Sequence, residues 1–417
     1  MSKILFLFCN EFSPSGDIVF ILPELTAWSL SVDRIVLFSA KKSDTGSICL
    51  PSSFEIVELQ MPLDWKISLS RFLFYCLLLL FQRRFWIELR DIIWVSPHLK
   101  NVYCAVSKYA YQKQAEHKVR QYLAEHPVAE EDDVILYSYW LDYIAGLAAE
   151  LHIPGKNLIR IARAHGYDLY DETPGNGYMP WRRDRISRLD HVYTASKAGA
   201  DFLKKRFPDM KDKISCAYLG SEDFSFQEYV PSNTFRLISC SGLVPVKRVE
   251  LIIEALSQIR DIPIKWTHIG TGPEEEKLKS LGKKILAPNI QCDWRGNLIH
   301  EQVKNVYQIE CFDLFVSTSA SEGLPVSMME ALSCGIPVAG TSVGGVPELI
   351  HENKNGWLLN PDAPAVDLVK AIRRYAESIP SAREEIRKES RSVWEIGFDA
   401  EKNQRKFVAR VIGESAK

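Results

Sequence analysis

The stretch that most constrains the fold of this chain is residues 312–350. A mostly apolar run at its start, residues 312–316, predicts a strand that is buried on both faces, as in a parallel sheet. The predicted elements are, in order, a strand at 312–316, a turn at 317–323, a helix at 326–333 that starts with Pro325 and stops before Gly335, a strand at 337–339 and a turn at Gly344 and Gly345. Alternation of strand, turn and helix is typical of an open α/β sheet.

The turns of this stretch predict where a ligand binds. In open parallel sheets, ligands lie beyond the carboxyl ends of the strands, where helix N-termini present free N–H groups. Gly323 and Leu324 precede the helix start at Pro325, and Gly344 and Gly345 let the backbone approach a ligand closely. We therefore expect a ligand site at these two turns.

Two glutamates in the same stretch have two interpretations each. Glu322 in the turn is placed to face a sugar ring, and Glu330 in the helix is placed to accept hydrogen bonds from ribose hydroxyls. Alternatively, Glu322 is a helix-entry carboxylate that the helix dipole stabilises, and Glu330 belongs to a solvated face. Taken singly, the residues leave both interpretations open.

The whole stretch closely resembles the signature of glycosyltransferase family 4. The residues that carry the resemblance are Glu322, Gly323, Pro325, Glu330, Ala331, Gly335, Pro337, Val338, Gly344, Gly345, Pro347 and Glu348. The resemblance implies the GT-B fold, in which two Rossmann-like domains face each other across a cleft and a C-terminal helix crosses back to the first domain. It also implies metal-independent sugar transfer from a nucleotide donor with retention of anomeric configuration.

Length and composition exclude several classes of protein. At 417 residues the chain has room for two or three domains of about 150 residues each. A net charge of −2 gives no reason to expect nucleic acid as a partner. The nine cysteines form no C-x-x-C pair, so we expect reduced, buried thiols in a cytoplasmic protein and no structural zinc site. No segment reaches the roughly 18 apolar residues that a membrane span needs.

We expect an acceptor-binding Rossmann-like domain at 1–221, a linker at 220–233, a nucleotide-sugar-binding Rossmann-like domain at 234–392, and a C-terminal helix at 393–417. Trp394, Phe398 and Asn403 resemble the pattern with which the last GT-B helix returns to the first domain. The alternative is an amphipathic helix that packs on its own domain.

Residues 66–120 are unusually basic and aromatic. From 64 to 120 the chain has ten basic residues against four acidic ones, and residues 72–81 are entirely apolar. Basic residues beside an apolar helix are typical of an interfacial anchor on anionic lipid, here on the inner face of the plasma membrane. A helix that is apolar all round also fits a buried position in the first domain. Both interpretations stay open.

In the first half, His165 follows a predicted strand at 157–162. A lone histidine is more often structural than functional, since neutral imidazole pairs readily with the backbone. The residues from Arg163 to Tyr170, however, are similar to family 4 enzymes that build bacterial surface polysaccharides of the colanic acid, capsule and lipopolysaccharide types. This resemblance assigns His165 a contact with the transferred sugar, and it places Arg163, Asp168 and Gly16 on the acceptor side. Gly16 is otherwise a plain turn glycine.

In the second half, Lys247 and Arg248 precede a predicted helix at 249–260. Cations oppose the helix dipole there, so a bound diphosphate or simple solvation explains them. The resemblance places an arginine five residues before Lys247, but this chain has Gly242. Either Arg248 or a first-domain residue replaces that arginine, or phosphate binding is weaker. Gly270 and Gly272 resemble the family's loop near the nucleotide base.

The sequence thus predicts a retaining hexosyltransferase that uses a UDP- or GDP-sugar, needs no cofactor or metal, and acts on a glycan or lipid-linked acceptor in surface polysaccharide synthesis. Lys247 would stabilise the leaving diphosphate together with the glycine turns. One alternative is a GT-B enzyme of other chemistry, such as a sugar-nucleotide epimerase or a phosphorylase. Another is a non-catalytic nucleotide-sugar-binding subunit of a transferase complex.

Overall fold

The computed structural model describes residues 2–13, 17–43, 53–61, 67–153, 158–170, 178–362 and 364–413. The chain divides into two compact units. The first comprises Met1–Ala217 with Gln404–Lys417, and the second comprises Tyr218–Asn403.

The first unit is built on a seven-stranded parallel sheet with the strand order β3-β2-β1-β4-β5-β6-β7. The strands are β1 (Lys3–Cys9), β2 (Arg34–Ser39), β3 (Phe54–Glu58), β4 (Asp133–Ser138), β5 (Leu158–Ala164), β6 (His191–Thr194) and β7 (Ile214–Cys216). Its helices before the second unit are α1 (Ile18–Ser29), α2 (Leu69–Leu80), α3 (Arg83–Val95), α4 (Leu99–Glu125), α5 (Ala145–Glu150), α6 (Gly166–Leu169), α7 (Arg182–Arg188) and α8 (Lys197–Arg206).

Strand β1 shows why the apolar runs of this sequence form buried strands. Successive side chains of a strand point to opposite faces of the sheet. Phe6 and Phe8 therefore join the core on one face, and Leu5 and Leu7 join the core on the other. A strand covered on both faces requires apolar residues at every position, which is the pattern of residues 4–8.

The second unit contains a six-stranded parallel sheet with the order β10-β9-β8-β11-β12-β13. Its strands are β8 (Phe235–Cys240), β9 (Ile264–Ile269), β10 (Ile290–Trp294), β11 (Leu314–Ser317), β12 (Val338–Thr341) and β13 (Gly356–Leu359). Its helices are α9 (Val249–Ser257), α10 (Glu275–Ile285), α11 (His300–Ile309), α12 (Val326–Ser333), α13 (Val346–Leu349), α14 (Ala365–Ala376) and α15 (Pro380–Gly397).

Helix α12 has the bounds expected from the sequence, and its end has a clear cause. Gly335 follows the last turn with φ +73°, a left-handed conformation that glycine adopts without strain. At the other end, Pro325 is the N-cap with an extended backbone, and not the first helical residue that we expected. The helix therefore begins at Val326, one residue later than we expected.

The last helix, α16 (Ala400–Val411), starts in the second unit and ends in the first. Trp394 and Phe398 pack in the second unit, whereas the ring of Phe407 lies edge-on to Trp28 at a centroid distance of 6.0 Å. The expected return of the C-terminal helix to the first unit is confirmed, and packing only on its own domain is wrong.

The residues that we expected to form a linker, 220–233, pack as part of the second unit instead. Phe224 is fully buried, its ring lies 5.7 Å from that of Tyr307, and its backbone N–H donates to Ser333 Oγ. The unit boundary falls between Ala217 and Tyr218. In the described part of the chain, no helix combines the length and apolarity needed to cross a membrane.

Candidate functional site

The strand order of the second sheet determines where its ligand site lies. Strand β8 has β9 on one side and β11 on the other, so the chain leaves β8 and β11 in opposite directions along the sheet. Ligands of open α/β sheets bind at this reversal, outside the carboxyl ends of the two strands. The residues to examine are therefore those in the loops that follow β8 and β11.

Lys247 and Glu322 meet at this reversal. Lys247 closes a short 3-10 turn after β8, and Glu322 lies in the loop after β11. Their side chains form an ion pair with 2.7 Å between Nζ and Oε1, and they stay 26% and 12% exposed. The two predicted site residues are thus brought together at a partly open surface, where an anion can reach the ammonium group.

The loop with Gly344 and Gly345 lies directly on the loop that carries Glu322. Gly345 donates its N–H to the carbonyl oxygen of Gly323 at 2.7 Å. Gly344 has φ +52°, and a Cβ at this position would come within 1.7 Å of the carbonyl oxygen of Glu322. Only glycine permits this contact. The two glycine turns thus form one backbone surface, although the second leads into a helix of only four residues, α13.

Gly270 and Gly272 bring the loop after β9 onto the loop after β8. A Cβ at Gly270 would lie 2.0 Å from the carbonyl oxygen of Ser241, and one at Gly272 would lie 2.3 Å from that of Leu243. These glycines therefore allow two loops at the carboxyl edge to touch through their backbones. The assignment of this loop to the nucleotide base stays a prediction.

Glu330 lies inside the second unit, which excludes the solvated face as its environment. It is only 6% exposed, and burial raises the pKa of its carboxyl to about 7. His300, the first residue of α11, holds Nδ1 3.6 Å from Glu330 Oε1 and Nε2 3.3 Å from Glu222 Oε2. Lys304 forms an ion pair with the same Glu222. Glu330 is thus a buried carboxyl whose charge depends on an adjacent imidazole.

The guanidinium of Arg248 holds loop backbone. It donates from Nε to the carbonyl oxygen of Thr318 at 2.8 Å, and from its two terminal nitrogens to those of Pro361 and Ser319 at 2.7 Å and 3.3 Å. These contacts favour a structural role over replacement of the missing arginine. At Gly242 a Cβ would meet only the carbonyl oxygen of Thr271, at 3.8 Å, so the backbone there does not require glycine.

In the first unit, Arg163 is a buried structural residue. It is fully shielded from solvent, its Nε lies 3.0 Å from Glu24 Oε2, and it donates to Tyr137 Oη and to the carbonyl oxygen of Ala217. Phe407 lies under the guanidinium at 3.9 Å. This environment favours a role in packing the last helix, and contact of Arg163 with an acceptor stays a prediction.

His165 follows β5 at the carboxyl edge of the first sheet. Its ring lies between Tyr139 and Trp140, with centroid distances of 4.8 Å and 4.6 Å. Both ring nitrogens are shielded from water, and neither has a hydrogen-bond partner among the described residues. Burial and the neighbouring Arg163 lower the pKa of His165 to about 3, so the imidazole is neutral. A neutral imidazole can both donate a hydrogen bond to a hydroxyl and accept one from it.

Asp168 positions His165 through the backbone. It is fully buried, and its carboxylate accepts hydrogen bonds from the N–H groups of His165 and Leu141. Burial raises the pKa of Asp168 to about 8, while these backbone donors act in the opposite direction. Direct contact of Asp168 with an acceptor stays a prediction. Gly16 lies outside the described residues.

Sequence reasoning missed His300 and Glu222. The signal for His300 was available, because it starts a helix directly after strand β10 and therefore stands at the same sheet edge as the glycine turns. Strand β10 itself was not predicted, so the helix after it had no place in the expected sheet. Among the described residues, no group of three or more His, Cys, Asp or Glu side chains is placed to hold a metal ion.

The family model for glycosyl transferases group 1 matches residues 221–393, which include β8 to β13 and every second-unit site residue above. The second unit of this chain is a group 1 glycosyltransferase domain. The family prediction made from residues 312–350 is therefore confirmed.

The chain is also similar to curated proteins over part of their length. The chain is 27% identical over 224 residues to WcaL of Escherichia coli strain K12, which is named as a colanic acid biosynthesis glycosyltransferase. The match covers 51% of this chain and 54% of that protein. The chain thus spans about half the length of the curated relatives that it matches.

Solved structures resemble the whole chain. Anabaena Alr3699/HepE in complex with UDP has a TM-score of 0.65 at 17% identity, with 99% of both chains covered. The lipopolysaccharide outer core galactosyltransferase WaaB in its apo form has a TM-score of 0.67 at 16% identity, again with 99% of both chains covered. These identities show the fold alone. Together with the two parallel sheets, they confirm the predicted GT-B fold.

Proposed function

We propose that this protein is a retaining, metal-independent glycosyltransferase that moves a hexose from a UDP- or GDP-sugar to a glycan or lipid-linked acceptor in surface polysaccharide synthesis. The observation that carries the proposal is the Lys247–Glu322 ion pair at the strand-order reversal of a group 1 domain, beside the joined glycine turns. The similarity to WcaL supports the polysaccharide context.

Each second-unit residue has a role that its environment supports. Lys247 and the N–H groups of the glycine turns stabilise the negative charge that develops on the leaving diphosphate. Glu322 accepts hydrogen bonds from hydroxyls of the donor sugar, and the buried Glu330 accepts them from the ribose. Charge stabilisation by these fixed groups is the reason for proposing transfer without a metal.

In the first unit we assign the contact with the transferred sugar to His165. Its shielded nitrogens support this role, because a buried polar atom without a partner is costly unless a ligand completes its hydrogen bonds. A neutral imidazole can donate to or accept from a sugar hydroxyl, but it cannot supply a positive charge. His165 therefore acts by orientation and hydrogen bonding.

The direct test is binding and transfer with a panel of UDP- and GDP-sugars, first by calorimetry and then with lipid-linked and soluble glycan acceptors. We expect Lys247→Ala to weaken donor binding by about tenfold or more, since a hydrogen bond between charged partners contributes about 1.5–3 kcal/mol. Lys370→Ala is the matched control, because Lys370 is 72% exposed and pairs only at the surface with Asp367. Equal donor affinity in wild type and the Lys247 variant would contradict the proposal.

A non-catalytic nucleotide-sugar-binding subunit is the second candidate. Two observations favour it. Gly242 carries no charge, and Arg248 binds backbone carbonyl oxygens. Among the described residues of the loop after β8, this leaves Lys247 as the cation that can bind phosphate. Saturable donor binding without transfer to any acceptor in the panel would support this candidate. Conversion of a UDP-sugar without an acceptor would instead indicate an epimerase.

A further inference from the structure

The first unit exposes a large apolar surface on helices α2 and α3. We define the α2–α3 face by its most prominent exposed side chains, which are Leu73, Phe74, Leu77, Phe81, Trp86 and Trp94. Phe81 is 91% exposed and Trp94 is 82% exposed. A concentration of exposed apolar side chains on two consecutive helices marks an interaction site in a well-folded protein. The interpretation of residues 72–81 as a buried helix is therefore wrong.

Helix α2 is held in place by its opposite side. The ring of Phe72 stacks on Tyr103 at 5.4 Å, and the ring of Tyr75 lies 6.0 Å from that of Tyr109 in helix α4. Leu79 is fully buried. The apolar outer side of α2 is thus a second face, because the inner residues already supply the contacts with the rest of the unit.

Helix α3 mixes tryptophan with cations on its outer side. Trp86 and Trp94 are exposed beside Arg83 and Arg90, whereas Phe85 is buried on the inner side. Trp86 also donates from Nε1 to the carbonyl oxygen of Leu80, which joins the outer side of α3 to the end of α2. Indole rings favour the boundary between water and lipid, since they are apolar but carry one polar N–H.

The charge on this surface has one sign. Within residues 67–103, all of which are described, the exposed charged side chains are Arg71, Arg83, Arg90 and Lys100. The two acidic residues of that range are not exposed. Glu88 is 3% exposed, and Asp91 is half-buried and pairs with Arg183 and with Arg90, the latter at 3.5 Å. An apolar face edged only by cations complements a surface that is apolar inside and anionic outside.

We propose that the α2–α3 face docks on the surface of a lipid bilayer that contains anionic phospholipid. Leucine and phenylalanine side chains of α2 enter the boundary between headgroups and acyl chains, the indoles of α3 lie at headgroup level, and the four cations contact lipid phosphates. Docking lies in the membrane plane, because neither helix is long enough to span the bilayer. The α2–α3 face belongs to the first unit, and the proposed donor residues belong to the second.

The primary test is co-sedimentation of the full chain with vesicles of phosphatidylcholine, with or without phosphatidylglycerol. We expect binding to the anionic vesicles that weakens as salt is added, because screening reduces the attraction of cations to the lipid surface. We expect Arg71→Gln and Lys100→Gln each to reduce partitioning about fivefold, the effect of one basic residue near an anionic surface. Quenching of indole fluorescence by brominated acyl chains should decrease in Trp94→Phe.

A matched set of apolar variants distinguishes this face from general stickiness. Phe74→Ser and Phe81→Ser, combined in one protein, should abolish vesicle binding. The control changes Leu30→Ser and Ile396→Ser remove apolar side chains that are 75% and 78% exposed elsewhere, and they should leave vesicle binding unchanged. Donor binding should be the same in all these variants. Loss of vesicle binding with unchanged donor binding therefore tests the membrane proposal separately from the proposed transferase activity.

Three results would overturn the proposal. One is equal partitioning onto neutral and anionic vesicles, and another is equal binding by the face variants and the controls. The third is a chain that ignores vesicles but forms a dimer that Phe74→Ser and Phe81→Ser dissociate, in which case a second copy covers the face.

Discussion

We expect the buried carboxyl of Glu330 to make donor affinity depend on pH. Burial raises its pKa to about 7, so the carboxyl is mostly neutral below this value and mostly ionised above it. An ionised acceptor binds hydroxyl donors more strongly than a neutral one, by about 1–1.5 kcal/mol. Donor affinity should therefore rise about five- to tenfold between about pH 5.5 and pH 8.

The direction of the change in donor affinity with pH follows from which form of Glu330 binds the donor. If ribose hydroxyls donate to the carboxylate, donor binding favours loss of the Glu330 proton, so affinity increases as pH rises through the pKa of the free protein. UDP-glucose or GDP-mannose is the suitable ligand for calorimetry, because a diphosphate esterified at both ends does not titrate in this range. The bare nucleotide diphosphate would add its own protonation.

Two variants test the assignment to Glu330. Glu330→Gln cannot ionise, so its donor affinity should be lower at pH 8 and nearly constant with pH. His300→Gln removes an imidazole whose positive charge lowers the pKa of Glu330, so the midpoint of the affinity profile should move to higher pH. An unchanged pH profile in Glu330→Gln would show that another group titrates and would refute this reasoning.

Three further predictions concern Gly344, Gly242 and the buried pair of Glu24 with Arg163. Gly344→Ala should abolish donor binding, measured by calorimetry, since its Cβ would overlap the backbone of Glu322, whereas Gly397→Ala has open space and should bind normally. Gly242→Arg should tighten UDP binding by about tenfold, because the position has room for a side chain and a cation is missing there; weaker binding would contradict it. Glu24→Ala should lower the free energy of unfolding in urea by about 3–5 kcal/mol, since it leaves Arg163 buried without its partner, and the surface change Glu395→Ala should cost under about 1 kcal/mol.

The interior strands and the edge strands β7 and β13 could be predicted from the sequence, but the edge strands β3 and β10 could not. Strands β1 and β11 are covered on both faces and therefore read as apolar runs. Strands β3 and β10 lie at the edges of their sheets, and their residues are largely half-exposed and include charges. Without β10, the position of His300 at the site edge could not be recognised.

The environments of individual side chains depended on tertiary packing. Glu322 and Glu330 have the same chemistry, yet one pairs with Lys247 at the surface and the other is buried beside His300. Residues 72–81 are apolar at every position, so periodicity could not show which side faces the unit and which is exposed. Burial of Arg163 by the last helix likewise joins residues that are far apart in sequence.

We expect the Lys247–Glu322 ion pair to link diphosphate binding to recognition of the sugar. Before the donor binds, the carboxylate of Glu322 satisfies the ammonium of Lys247 at 2.7 Å. A bound diphosphate would compete with this carboxylate for Lys247, and it would release Glu322 to accept hydrogen bonds from sugar hydroxyls.

Loss of the Glu322 charge should therefore have opposite effects on UDP binding and on sugar transfer. In Glu322→Gln we expect tighter binding of bare UDP, because Lys247 loses its competitor, but slower sugar transfer, because the amide holds the donor sugar less well. Calorimetry with UDP and a transfer assay on the same protein measure both effects, and a variant that weakens both equally would show that Glu322 does not compete with phosphate for Lys247.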